Sequence, residues 1–117
     1  MCGITGYLSF SEHYDAAIIK SMTNTLQHRG PNDQGYEVFD EEKFQLAFGH
    51  RRLSIMDVSS LGHQPMNYKN LWITYNGEVY NFSEIKETLI AKGHEFSFSS
   101  DTEVILHASF VMDHHYR

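Results

Sequence analysis

The sequence has few of the features that staple a chain, anchor it in a membrane or draw it to polyanions. One cysteine among 117 residues excludes an internal disulfide, and a thiol that must stay free suits a reducing compartment. No apolar run approaches the roughly 18 residues of a membrane span. The opening Met1-Cys2-Gly3-Ile4 also lacks the basic flank and long apolar stretch of a signal peptide, so a cytoplasmic protein is expected. Basic residues number 9 against 15 acidic ones, a formal net charge of -6, and no window gathers them into a stripe, which argues against nucleic acid or an anionic membrane as partner. The eight histidines are scattered singly except for His114-His115, without the helical i, i+4 spacing of a zinc site, so no metal is expected.

What is present fits a soluble globular chain, 41% hydrophobic and 21% charged, with no repeat, low-complexity tract or interdomain linker. One domain at most fits this length, and about two thirds of its unfolded surface can be buried. Gly3 to Phe10 reads as a buried or edge strand. Asp15 can cap a helix with the stripe Ile18, Ile19, Met22 and Leu26, which ends before a turn at His28-Arg29-Gly30-Pro31. Gly35–Phe39 and Phe44–Phe48 form a hairpin pattern around an acidic link, and Gly49 to Lys69 reads as one long irregular, functional stretch. Leu71–Tyr75 is a strand running into Asn76-Gly77-Glu78. A helix follows from a capping box at Asn81 and Glu84 to Gly93. Glu95–Ser99 alternates like a strand, and Ser100-Asp101-Thr102-Glu103 is a capping box opening a third helix. The order predicts an α+β layered domain.

Cys2 is one methionine away from being the first residue. An N-terminal cysteine carries its nucleophile beside an α-amine, a group that ordinarily titrates at about pH 7.7 to 8.0 and can serve as general base directly or through a water. The competing reading is a small buried hydrophobe in the first strand.

Met-Cys-Gly-Ile-Thr-Gly-Tyr, residues 1–7, resembles the opening of class II glutamine amidotransferases, which are N-terminal nucleophile hydrolases. Further segments are similar, in order, to motifs of the asparagine synthase branch: Gln27 to Asp33, Gly49 to Asp57, His63-Gln64-Pro65-Met66, Asn76 to Asn81 and Ser100 to Leu106. The resemblance covers residues 1 to 108 and leaves out the tail Ser109 to Arg117. It implies a four-layer αββα sandwich with antiparallel sheets, of which residues 1–117 hold the N-terminal part. The further strands and the C-terminal synthetase domain lie elsewhere. It implies L-glutamine as substrate, no cofactor for this chain, with ATP and magnesium used only by the synthetase domain, and room for a homodimer.

The resemblance also assigns roles. Cys2 is the nucleophile. The Asn76 side-chain amide and the Gly77 N–H form the oxyanion hole, although Asn-Gly alone also reads as a hairpin turn. Arg52 grips the substrate α-carboxylate, with Leu53, Ser54, Ile55 and Met56 as neighbouring contacts; otherwise Arg52 is a surface arginine. Glu78 and Asp101 receive the α-ammonium, and Asp101 also suits a helix N-terminus electrostatically. Two alternatives stay open at this point. One is a papain-like site recruiting His28, Arg29 or His50 as partner of Cys2, and the other is a catalytically silent fragment or binding module with unpaired strand edges.

Overall fold

The computed structural model describes residues 2–53, 62–97 and 101–115, with side chains up to 113. The fold is α+β with antiparallel sheets, as expected from the sequence. The chain forms two compact units, one of Met1–Pro65 with Thr74–Asn76, the other of Met66–Ile73 with Gly77–Arg117.

In the first unit, β1 (Gly3–Ser9), β2 (Asp33–Asp40) and β3 (Gln45–Arg52) make a three-stranded sheet in the order β1-β3-β2. Both pairings are antiparallel, with Ile4 opposite His50 on one side of β3 and Gly35 opposite His50 on the other. Between β1 and β2 lies α1 (Ala16–Asn24), whose start is fixed by the Asp15 carboxylate accepting the Ala17 N–H at 2.8 Å. That bond satisfies one of the N–H groups that a helix leaves unpaired at its start.

The helix packs on one sheet face, burying Ile19 and Thr23 against the central strand, where Ala47 is also fully buried. The same face carries Gln45. Its Oε1 accepts from Tyr7 Oη at 2.7 Å and Tyr14 N at 2.9 Å, and its Nε2 donates to Tyr14 O at 3.0 Å and Asp40 Oδ1 at 2.6 Å. A buried amide is tolerated because its bonds are made. On the opposite face Ile4 and Leu8 stay half exposed, and Phe39 meets Phe48 edge-on at 6.0 Å.

The second unit is built on a short hairpin of β4 (Met66–Tyr68) and β5 (Leu71–Ile73), turned through Lys69 at φ 55°. Helix α3 (Asp101–His115) packs on both strands and on α2 (Phe82–Ala91), with Leu89, Val104 and Leu106 buried. His107, only 3% exposed, stacks on Tyr68 with ring centroids 3.7 Å apart. Its Nδ1 lies 2.8 Å from His94 Nδ1.

Several expectations shift in detail. The stretch taken as irregular contains the last residues of β3, through Arg52, and all of β4; residues 54–61 within it lie outside the described residues. Asn81 occupies the N-cap of α2 but makes no side-chain cap bond, because its backbone at φ -100°, ψ 26° is not the extended conformation that aims a cap at the helix. Gly93, with φ 93°, ends that helix as its position implied. Residues 95–97 are not a strand: the Ser97 N–H goes to the Glu103 carboxylate at 2.8 Å rather than to a neighbouring strand. The rest of that expected strand, and Ser100 of the capping box, lie outside the described residues.

Candidate active site

The first unit gathers its chemistry at the Cys2 end of the sheet. The Cys2 sulfur accepts the Leu53 N–H at 3.3 Å, and the thiol lies 3.9 Å from Leu53 O. Arg29 Nε donates to Cys2 O at 3.3 Å. Cys2 is therefore held at both its side chain and its main chain, and it is partly accessible rather than packed as a core residue. The reading of Cys2 as a buried hydrophobe does not hold.

Strand alternation separates two adjacent arginines. Arg51 is buried on the α1 side, where Nε donates to Gly30 O at 2.8 Å and Nη1 to Gln34 Oε1 at 2.6 Å. It is structural, tying the turn after α1 to the sheet. Arg52 emerges on the other side with its guanidinium close against Gly62, at a position where a Cβ would collide with it. Segment 62–65 crosses that face. Its Gln64 carbonyl and His63 ring lie over Gly35, which leaves no room for a side chain there, and His63 Nδ1 meets Asp33 Oδ2 at 2.6 Å.

His50 shares this face, opposite Gly35, and is 1% exposed. Burial pushes its pKa below the usual histidine value, with the Tyr75 carbonyl, 3.3 Å from Nε2, pulling the other way. Facing a carbonyl, that nitrogen must carry the proton. That leaves the lone pair on Nδ1, but among the described residues the hydrogen-bond partners of the Cys2 sulfur are main-chain atoms of Leu53, not a histidine. His28 is exposed, and Arg29 binds the Cys2 carbonyl. Among the described residues, the papain-like alternative thus finds no histidine hydrogen-bonded to the Cys2 sulfur.

Asn76 follows Tyr75 in this unit and is exposed. Gly77 and Glu78 belong to the second unit, exposed in the turn before α2. There Asp101, at the first position of α3, accepts the Val79 N–H through Oδ2 at 3.0 Å, so its carboxylate fixes the main chain two residues beyond Gly77. Ser54, Ile55 and Met56 lie outside the described residues. Among the described residues no group of three or more His, Cys, Asp or Glu could hold a metal ion, and no helix is long and apolar enough to cross a membrane.

A family model described as glutamine amidotransferase domain matches residues 1–116. The chain belongs to that family. The match extends through Ser109–Tyr116, beyond the last of the family-like motifs; α3 runs unbroken through most of that stretch, to His115. Among curated relatives, the chain is 45% identical over 114 residues to asparagine synthetase [glutamine-hydrolyzing] 1 of Bacillus subtilis, covering 91% of this chain and 17% of that protein. It is 42% identical over 114 residues to asparagine synthetase [glutamine-hydrolyzing] 3 of the same organism, covering 92% and 18%. It is 36% identical over 122 residues to putative asparagine synthetase [glutamine-hydrolyzing] 2 of Methanocaldococcus jannaschii, covering 91% and 23%. The chain thus spans about a fifth of the length of these relatives. No solved structure matches it.

Sequence reasoning named Cys2, Arg52 and Leu53, which the structure brings to one end of the sheet. It missed the parts played by Arg29, Gly62, Gln64 and Tyr75. The placement of Gln64-Pro65 and of the Arg29-Gly30 turn within family-like motifs was the available signal.

Proposed function

We propose that the chain is the glutaminase part of an asparagine synthase-like amidotransferase. The observation that carries this is the Cys2 thiol, accessible and oriented by the Leu53 main chain one residue from Arg52. With Met1 removed, the α-amine of Cys2 takes the thiol proton, directly or through a water. The sulfur attacks the γ-carboxamide carbon of L-glutamine, and the carbonyl oxygen becomes an oxyanion met by the Asn76 amide and the Gly77 N–H. The amide nitrogen leaves as ammonia after accepting that proton, forming a γ-glutamyl thioester. Water then cleaves the carbon–sulfur bond, releasing glutamate and restoring the thiol.

Arg52 pairs with the substrate α-carboxylate, its guanidinium given room by the missing side chain of Gly62, with Leu53 to Met56 as further contacts. Asp101 and Glu78 receive the α-ammonium. Asp101 accepts the Val79 N–H through Oδ2, which leaves its second oxygen for the ammonium group. The ammonia serves an ATP-dependent amidation of aspartate, carried out in the cytoplasm by a synthetase domain that uses ATP and magnesium. The names of the relatives support this, since each is called a glutamine-hydrolysing asparagine synthetase.

The test is incubation of the purified protein, with Met1 removed, with glutamine and separately with an electrophilic glutamine analogue. Release of glutamate and ammonia and a covalent adduct at Cys2 by mass spectrometry are expected. Labelling elsewhere, or none in a folded sample, favours a catalytically silent fragment. Activity with Met1 retained removes the amine from the mechanism.

A further inference from the structure

Tyr75 lies beyond the end of β5, which stops at Ile73, yet its main chain is held twice. Its carbonyl lies 3.3 Å from His50 Nε2, and its N–H donates to Gln64 Oε1 at 2.7 Å. The N–H belongs to the peptide group joining Thr74 to Tyr75, and the carbonyl to the one joining Tyr75 to Asn76. Side chains therefore fix two successive peptide planes, where a strand would use a neighbouring backbone. The second plane includes the Asn76 nitrogen, so the direction in which the Asn76 Cα leaves the chain follows from these bonds.

Both holding side chains are buried and anchored: His50 on the central strand, Gln64 in the segment laid over Gly35. Burial favours the neutral imidazole, which the carbonyl contact locks in the tautomer with hydrogen on Nε2. Neither residue is among those assigned to bind glutamine or attack it. We propose that His50 and Gln64 are positioning residues that hold Asn76 where its amide meets the oxyanion, acting through the Tyr75 main chain. This rests on the reading of Asn76 as an oxyanion donor. An oxyanion hole works because its donors are aimed before charge develops, and a loosened donor costs rate more than substrate affinity.

The experiment compares His50→Phe, His50→Gln and Gln64→Leu with the unaltered protein. It reads kcat and KM for glutamine hydrolysis, the rate of Cys2 alkylation by iodoacetamide, and amide exchange at Tyr75 and Asn76. Alkylation proceeds by displacement and forms no oxyanion, so it reports whether the sulfur and its surroundings are intact. We expect kcat to fall about tenfold or more in His50→Phe and Gln64→Leu with KM changed less than about threefold. Alkylation stays unchanged, and exchange at Tyr75 is faster in Gln64→Leu. His50→Gln, which restores an N–H donor, recovers most of kcat.

Unchanged kcat, a His50→Gln variant as impaired as His50→Phe, or kcat and alkylation falling together overturns the proposal. If the unaltered protein neither hydrolyses glutamine nor labels at Cys2, the glutaminase reading is what has failed. Amide exchange then still decides whether the Tyr75 hold exists, and unchanged exchange in Gln64→Leu refutes it.

Discussion

Acidification should weaken the second unit through one imidazole. His107 is enclosed by Tyr68, Phe96 and His94, and burial, with His94 as second cause, lowers its pKa from 6.5 to about 4. The charged groups near it do not offset this. Glu103 Oε1, at 3.9 Å from Nε2, lies beyond hydrogen-bond distance and accepts the Ser97 N–H. Lys69 lies over the Tyr68 and Phe110 rings and Lys86 over Phe96, and both are cations.

A group whose folded pKa is depressed contributes stability that is present above its unfolded pKa and is lost as pH falls toward the folded one. The window is therefore pH 6.5 down to about 4. The gap between those values corresponds to about 3 kcal/mol in full, of which about 2 kcal/mol is lost between pH 7 and pH 5. That is a large share of a typical domain stability of roughly 5–15 kcal/mol. Trp72, the only tryptophan, sits on β5 in the same unit and reports its unfolding by fluorescence. Urea titrations at pH 7 and pH 5 should show the unaltered protein losing about 2 kcal/mol more than His107→Phe, which keeps an aromatic ring on Tyr68 but cannot take up a proton. Equal losses in the two proteins, or a gain on acidification specific to the unaltered one, would refute the argument.

Gly62→Ala places a methyl group against the Arg52 guanidinium, so glutamine KM should rise about tenfold or more, one charge-assisted pairing being worth roughly 1.5–3 kcal/mol, while the circular dichroism spectrum is retained. Asp15→Ala removes the cap of α1 and should lower stability by about 1 kcal/mol in chemical denaturation, whereas Asp15→Ser should restore most of it.

Local chemistry was legible wherever one residue decides a local geometry. Asp15 marked the start of α1 and Gly93 the end of α2, because a cap oxygen and a positive φ are requirements of the chain itself. β1 and β2 were readable as β-rich runs, but which face α1 covers was not, since the apolar Ile4 and Leu8 lie on the opposite, half-exposed face of β1. β4 was not, since three residues are too few to show a period and Met66–Tyr68 carries no turn signal of its own. The extension of β3 through Arg52 was hidden behind its charge. Two arginines read as a surface loop until Gly30, Gln34 and Gly62 are brought to them from distant parts of the sequence. The Tyr75 hold depends on residues 25 and 11 positions away, and no local pattern encodes it.

Arg51 and Arg52 are chemically identical neighbours that cannot stand in for each other. Their side chains leave β3 on opposite sides, one engaged under the helix and the other laid on Gly62. A slip of β3 by a single residue would leave an arginine in only one of the two slots, and it would turn His50 out of its burial and break every rung shared with β1 and β2. The doubled arginine thus offers no spare: damage at the first should register as lost folding, and damage at the second as lost recognition.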